Sequence, residues 1–97
     1  MVNQFDIGQF VGVSTVSSIK AALVERVKKR RKEAKLSQTA LSKRSGVSFA
    51  SIRRFEEAGE ISLSSLMKIA NSLGCLEDFD ALFKHEIITN LRDYLND

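Results

Sequence analysis

The sequence predicts an all-α domain on three observations. It contains no proline. Its apolar residues recur mostly at spacings of three and four, the period of a helix face. Serines stand before the periodic stretches and glycines after most of them, the chemistry of helix N-caps and C-terminal stops.

Taken in order, residues 1–16 are the exception. Phe5 and Ile7 alternate with polar neighbours, and Gly8 and Gly12 follow, which reads as an N-terminal arm with room for a short strand. A first helix runs from an N-cap at Ser18 to about Ala34, with Ile19, Leu23, Val24, Val27 and Ala34 as its apolar stripe. Arg31 falls on that stripe, and a guanidinium cannot sit against a core without a carboxylate partner. Ser37 caps a short second helix, Gln38 to about Arg44, with Leu41 and Ser45 inward and small Ser42 beside them. Gly46 turns the chain. Ser48 caps a third helix, Phe49 to about Glu57, which stops at Gly59. Ile52 and Phe55 form its apolar side, Val47 precedes the cap as a staple, and Phe49, Ala50, Arg53, Arg54 and Glu57 lie opposite. Ser62 caps a fourth helix that carries Leu63, Leu66, Met67, Ala70 and Leu73 and stops at Gly74. A fifth segment, Leu76 to about Phe83, shows Leu76, Phe79, Leu82 and Phe83. The domain thus spans 17–83, and residues 84–97 add a C-terminal amphipathic segment.

The 97 residues make one small domain, 43% hydrophobic and 28% charged. A chain of this size buries one small core but lacks the walls of a deep pocket, which argues against a stand-alone enzyme. A single cysteine, Cys75, excludes an internal disulfide and the usual four-ligand zinc sites. His85 and Cys75 have no metal-ligand spacing, no Gly-rich phosphate loop occurs, and the serines have no accompanying His/Asp arrangement, so no metal and no cofactor are expected. The apolar runs fall short of the ~18 residues that span a bilayer. The first residues carry no Lys or Arg before a hydrophobic run, unlike a secretory signal. The expected setting is the cytoplasm, in association with the nucleoid, with no membrane partner.

Charge is divided along the chain. Residues 1–55 hold twelve Lys and Arg against three acids, a net of +9, and residues 56–97 hold three against nine, a net of −6. The positive half attracts phosphates, and the negative half must point elsewhere. The densest run is Lys28, Lys29, Arg30, Arg31, Lys32 and Lys35, which also suits a plain solvated helix face.

The informative unit is a short helix, a glycine turn and a second helix, from Gln38 to Glu57. Two helices that cross at ~90–120° need a small residue at the crossing, a flexible turn and apolar locks. Ser42, Gly46 and the set Leu41, Val47, Ile52 and Phe55 meet those needs. The second helix then keeps one face exposed, as a helix that enters a major groove must.

At this point the sequence resembles a known family. LSQTALSKRSGVSFASIRRFEEAG is similar to the helix-turn-helix of phage-repressor (Xre/Cro-type) DNA-binding proteins, through Leu36, Ser37, Gln38, Ser42, Gly46, Ile52 and Phe55. The resemblance runs from about Val27 to about Leu82 and includes ISLSSLMKIANSLG, similar to the family's following helix. Ser42 departs mildly from it, since alanine is commonest there. The resemblance implies a five-helix, lambda-repressor-like fold, here with an N-terminal arm and an extra C-terminal helix. It also implies a sequence-specific regulator of transcription that binds double-stranded DNA.

The resemblance assigns roles to residues. Gln38 matches a glutamine that bonds a phosphate and steadies the recognition helix, although a solvated side chain is the alternative. Ser48 matches a cap that also touches phosphate, with capping alone equally open. Lys43 and Arg44 lie toward the backbone and give salt-dependent affinity. Phe49, Ala50, Arg53 and Arg54 match base-reading positions, where arginine pairs with guanine O6 and N7 and apolar groups meet thymine methyls. Phe49 can instead pack on Lys or Arg stems, and Arg53 can take a phosphate or pair with Glu57 at i+4. Arg31 and Glu56 match an architectural pair that fixes the third helix to the first.

Ile87, Ile88, Leu91, Tyr94 and Leu95 exceed what a five-helix domain needs. They either cap the same core or form a homodimer or partner interface, and the acidic surroundings favour an interface away from DNA. Family members usually bind two half-sites as dimers. Small members of the HipB type pair with a kinase-like toxin and repress their own operon, which makes an antitoxin a narrower expectation. The rival class is a protein–protein adaptor with the same fold and only non-specific DNA affinity.

Overall fold

A computed structural model describes residues 13–86. Most of the arm (1–16), the greater part of the 84–97 segment and all of Ile87, Ile88, Leu91, Tyr94 and Leu95 lie outside the described residues. Five helices follow one another: α1 (Val16–Glu33), α2 (Gln38–Ser45), α3 (Phe49–Ala58), α4 (Leu63–Ser72) and α5 (Glu77–Asp80). No strand occurs among the described residues.

Local chemistry sets the boundaries. Ser37, Ser48 and Ser62 each accept a hydrogen bond from the backbone N–H three residues on, which satisfies a donor that the first helical turn leaves open. Gly46 and Gly59 end α2 and α3 in the left-handed conformation, at φ of +79° and +73°. α1 begins earlier than the expected Ser18 cap. Thr15 is the N-cap, and Ser18 is its capping-box partner: each side chain bonds the other's backbone N–H at 3.0 Å. α1 ends in a Schellman motif, with Leu36 N–H on the Arg31 carbonyl and Lys35 N–H on that of Lys32. Lys35 holds the left-handed position at φ +60°, a place glycine usually takes.

The core is continuous. Leu41, Val47, Ile52, Ile69 and Leu73 form one cluster, and Val24, Phe55 and Leu66 form a second, with Val27 and Ile61 packed against both. Phe55, Leu41, Ile52 and Ile69 are fully buried, each worth roughly 1.5–3 kcal/mol relative to exposure. α2 packs on α3 and α4, and α3 packs on α1.

Some expected core residues face outward. Ile19, in the first turn of α1, is 53% exposed, and Ala34 is exposed because it sits in the turn after the helix. The fifth segment is helical only over Glu77–Asp80. Phe79 packs on the second cluster, whereas Leu76, Leu82 and Phe83 are exposed. Among the described residues no helix is long and apolar enough to cross a membrane.

Candidate nucleic-acid interface

The α2–turn–α3 unit is held from within. Ser42 Oγ donates to the Val47 carbonyl at 2.6 Å across the Gly46 turn. This gives the hydroxyl a task that the alanine usual in the family could not perform. Val47 and Ile52 then enter the same core cluster as Leu41, so both helices are tied to one apolar surface. The side of α3 bearing Ile52 and Phe55 is sealed.

A polar cluster fixes α3 from the other direction. Arg31 Nε donates to Glu56 Oε2 at 2.8 Å and Arg31 Nη2 to Oε1 at 2.9 Å, a two-pronged pair. Arg31 Nη1 donates to the Leu36 carbonyl at 2.8 Å, and Gln38 Nε2 donates to Glu56 Oε1 at 2.9 Å. The Arg31 and Glu56 side chains are only 10% and 4% exposed. One carboxylate thus joins α1, α2 and α3. Burial pushes the Glu56 carboxyl up, but the hydrogen bonds from Arg31 and Gln38 and the Arg31 charge outweigh it, and the group is held below the ordinary glutamate value of 4.5. A lowered folded-state pKa gives stability that is fully present above the unfolded value and lost as pH falls through the folded one. Thermal melts should therefore show the protein losing more stability than Glu56→Gln as pH drops below about 4.5. Parallel losses in the two proteins would mean that Glu56 does not contribute.

The opposite side of α3 is open. Ala50, Arg53, Arg54 and Glu57 form one stripe at i, i+3, i+4 and i+7, all exposed, with Phe49 beside it at 42% exposure. Arg53 Nε donates to Glu57 Oε2 at 3.1 Å, one of the alternatives that the sequence leaves open for Arg53. Among the described residues no hydrogen bond holds the Arg54 guanidinium, whose charge helps to keep Glu60 below the ordinary glutamate range after the larger effect of Lys20. Ser48 Oγ caps α3 and also donates to Ser51 Oγ at 2.8 Å. Lys43 and Arg44 are exposed in the last turn of α2.

A helix-turn-helix family model matches residues 27–79. The chain belongs to the phage-repressor type of helix-turn-helix family. This helix-turn-helix protein has the kind of function the family serves, DNA binding in the regulation of transcription, and the family is regulatory rather than catalytic. No curated protein matches the chain.

The structure brings Phe49, Ala50, Arg53 and Arg54 to one face. It places Lys43 and Arg44 at the end of the preceding helix and draws Arg31, Gln38 and Glu56 into a single part-buried cluster. Gln38 is not free in solvent: one amide hydrogen is committed to Glu56, and its NH₂ carries a second. The sequence offers Glu57 only as an i+4 partner for Arg53, which the structure shows, and gives it no part of its own at the interface. Its signal was present, since 50, 53, 54 and 57 are one helical stripe and a carboxylate among arginines stands out on it.

Proposed function

We propose that this helix-turn-helix protein is a sequence-specific repressor that binds double-stranded DNA as a homodimer and reads the major groove with α3. The observation that carries this reading is the exposed stripe of α3, with two guanidiniums and a neighbouring phenyl ring, on a helix whose other side is locked to α1 and α2. A rigid helix with one free, cationic face suits a groove about 12 Å wide. Phe49, Ala50, Arg53 and Arg54 read bases, while Gln38, Lys43, Arg44 and Ser48 meet phosphates. The 84–97 segment, with Ile87, Ile88, Leu91, Tyr94 and Leu95, joins two copies on half-sites about 34 Å apart. An antitoxin that represses its own operon is the narrower form of this reading. The acidic half beyond residue 55 supports it, because that half is repelled by DNA and suits a protein partner.

Selection of bound duplexes from a random pool tests the proposal, with a dyad-symmetric consensus as the expected result. Arg54→Ala should relax preference at one base pair of each half-site by roughly 1–3 kcal/mol. Lys43→Ala should weaken all sequences alike. A pool without consensus, bound weakly and equally, points instead to the adaptor.

A further inference from the structure

The geometry points to Glu57 as a positioning residue that fixes Arg53 for reading guanine and keeps it off the phosphate backbone. This rests on the proposed reading of DNA by α3. Glu57 closes the exposed stripe at its C-terminal end, seven residues after Ala50, four after Arg53 and three after Arg54. A carboxylate there must enter the groove together with the arginines. Its contact with Arg53 is made through Nε, at 3.1 Å. Among the described residues no hydrogen bond uses the two Nη groups of Arg53. The guanidinium is therefore gripped along one edge, and its far end carries two parallel donors. Those donors match the paired acceptors O6 and N7 of guanine.

In water this pair is weak, because both side chains are more than half exposed, at 61% and 64%. Inside a groove its meaning changes. Phosphates surround Glu57, solvent is reduced, and an uncovered carboxylate there is strongly disfavoured. Arg53 is the cation that covers it. If Arg53 swung out to a phosphate it would strand Glu57, so the two groups enter as one unit whose free end is the Nη pair. At a site with guanine that end is satisfied. Elsewhere it is not, and the negative charge of Glu57 still opposes the backbone. Glu57 thus favours the correct sequence and penalises the others.

The experiment compares the full-length protein with Glu57→Gln, Arg53→Ala and the double variant, each in selection from a random duplex pool. Binding to the resulting consensus and to a scrambled duplex is then measured at several salt concentrations. Glu57→Gln should lower guanine preference at one position per half-site by about tenfold, within the range for a bidentate arginine–guanine pair. It should tighten binding to the scrambled duplex several-fold. It should also steepen the salt slope by about one per protomer, as Arg53 becomes free to neutralise a phosphate. Arg53→Ala should abolish the same preference, and adding Glu57→Gln to it should leave base preference unchanged. An unaltered melting temperature for Glu57→Gln separates these effects from folding. A consensus that Glu57→Gln leaves intact overturns the positioning role while DNA reading stands, and so does a uniform change over all sequences. A parent protein that selects no consensus overturns the DNA reading itself.

Discussion

Glu56→Ala should remove about 3–5 kcal/mol of folding stability, the usual consequence of leaving a buried charge without its partner. The Glu56 side chain is 4% exposed and Arg31 is 10% exposed, so solvent screens the stranded guanidinium poorly. Truncation also leaves the Gln38 amide without its acceptor, and only the Leu36 carbonyl remains to Arg31. Small domains have roughly 5–15 kcal/mol in total, so the single change consumes much of the reserve. Replacing the pair together, Arg31→Met with Glu56→Leu, should destabilise far less, because no charge is then buried alone. Urea unfolding of the parent, the single variant and the double variant measures both figures. A single variant within ~1 kcal/mol of the parent would place the cluster among exposed pairs and remove its architectural role.

The same residues show what a sequence discloses and what it hides. Caps at Ser37, Ser48 and Ser62 and stops at Gly46 and Gly59 are legible, because each acts on backbone within three or four residues. The start of α1 is less so. Thr15, Ser17 and Ser18 are all competent caps, and only geometry shows that Thr15 and Ser18 act together as a box. The end of α1 falls where the sequence puts it, at Glu33 with Ala34 as C-cap, but the motif that closes it is hidden: Lys35 takes a left-handed conformation that no side-chain preference announces. At the fifth segment a good apolar pattern misleads. Phe79 reaches the core, but Leu76 is only partly covered, Leu82 and Phe83 stay exposed, and the helix shrinks to four residues. In the site, Arg31 declares itself as a cation on an apolar stripe that needs a carboxylate. The Glu56–Gln38 bond does not, since neither residue looks unsatisfied in sequence and they lie 18 residues apart.

Salt provides the largest expected effect on DNA binding. A dimer that neutralises about eight phosphates should show log K falling against log salt with a slope near −7. Between 50 and 200 mM salt that slope lowers affinity about ten-thousand-fold. The basis is the distribution of charge: Lys43 and Arg44 stand exposed at the end of α2, and Lys29, Arg30 and Lys32 stand exposed in the last turns of α1, while Arg53 and Arg54 are kept for bases. The acids beyond residue 55 lie mostly on other elements, with Glu57 the one exposed exception on the α3 stripe. A monomer that makes half the contacts would give a slope near −3.5, so the same titration also tests the dimer. Lys43→Ala removes one phosphate per protomer and should flatten the dimer's slope by about two, at unchanged base preference. Titration of the selected duplex at four or more salt concentrations measures all three slopes. A parent slope shallower than about −2 would mean that few phosphates are held. In that case α3 has no backbone contacts to set its register, and a base-reading arginine without a register cannot select a sequence.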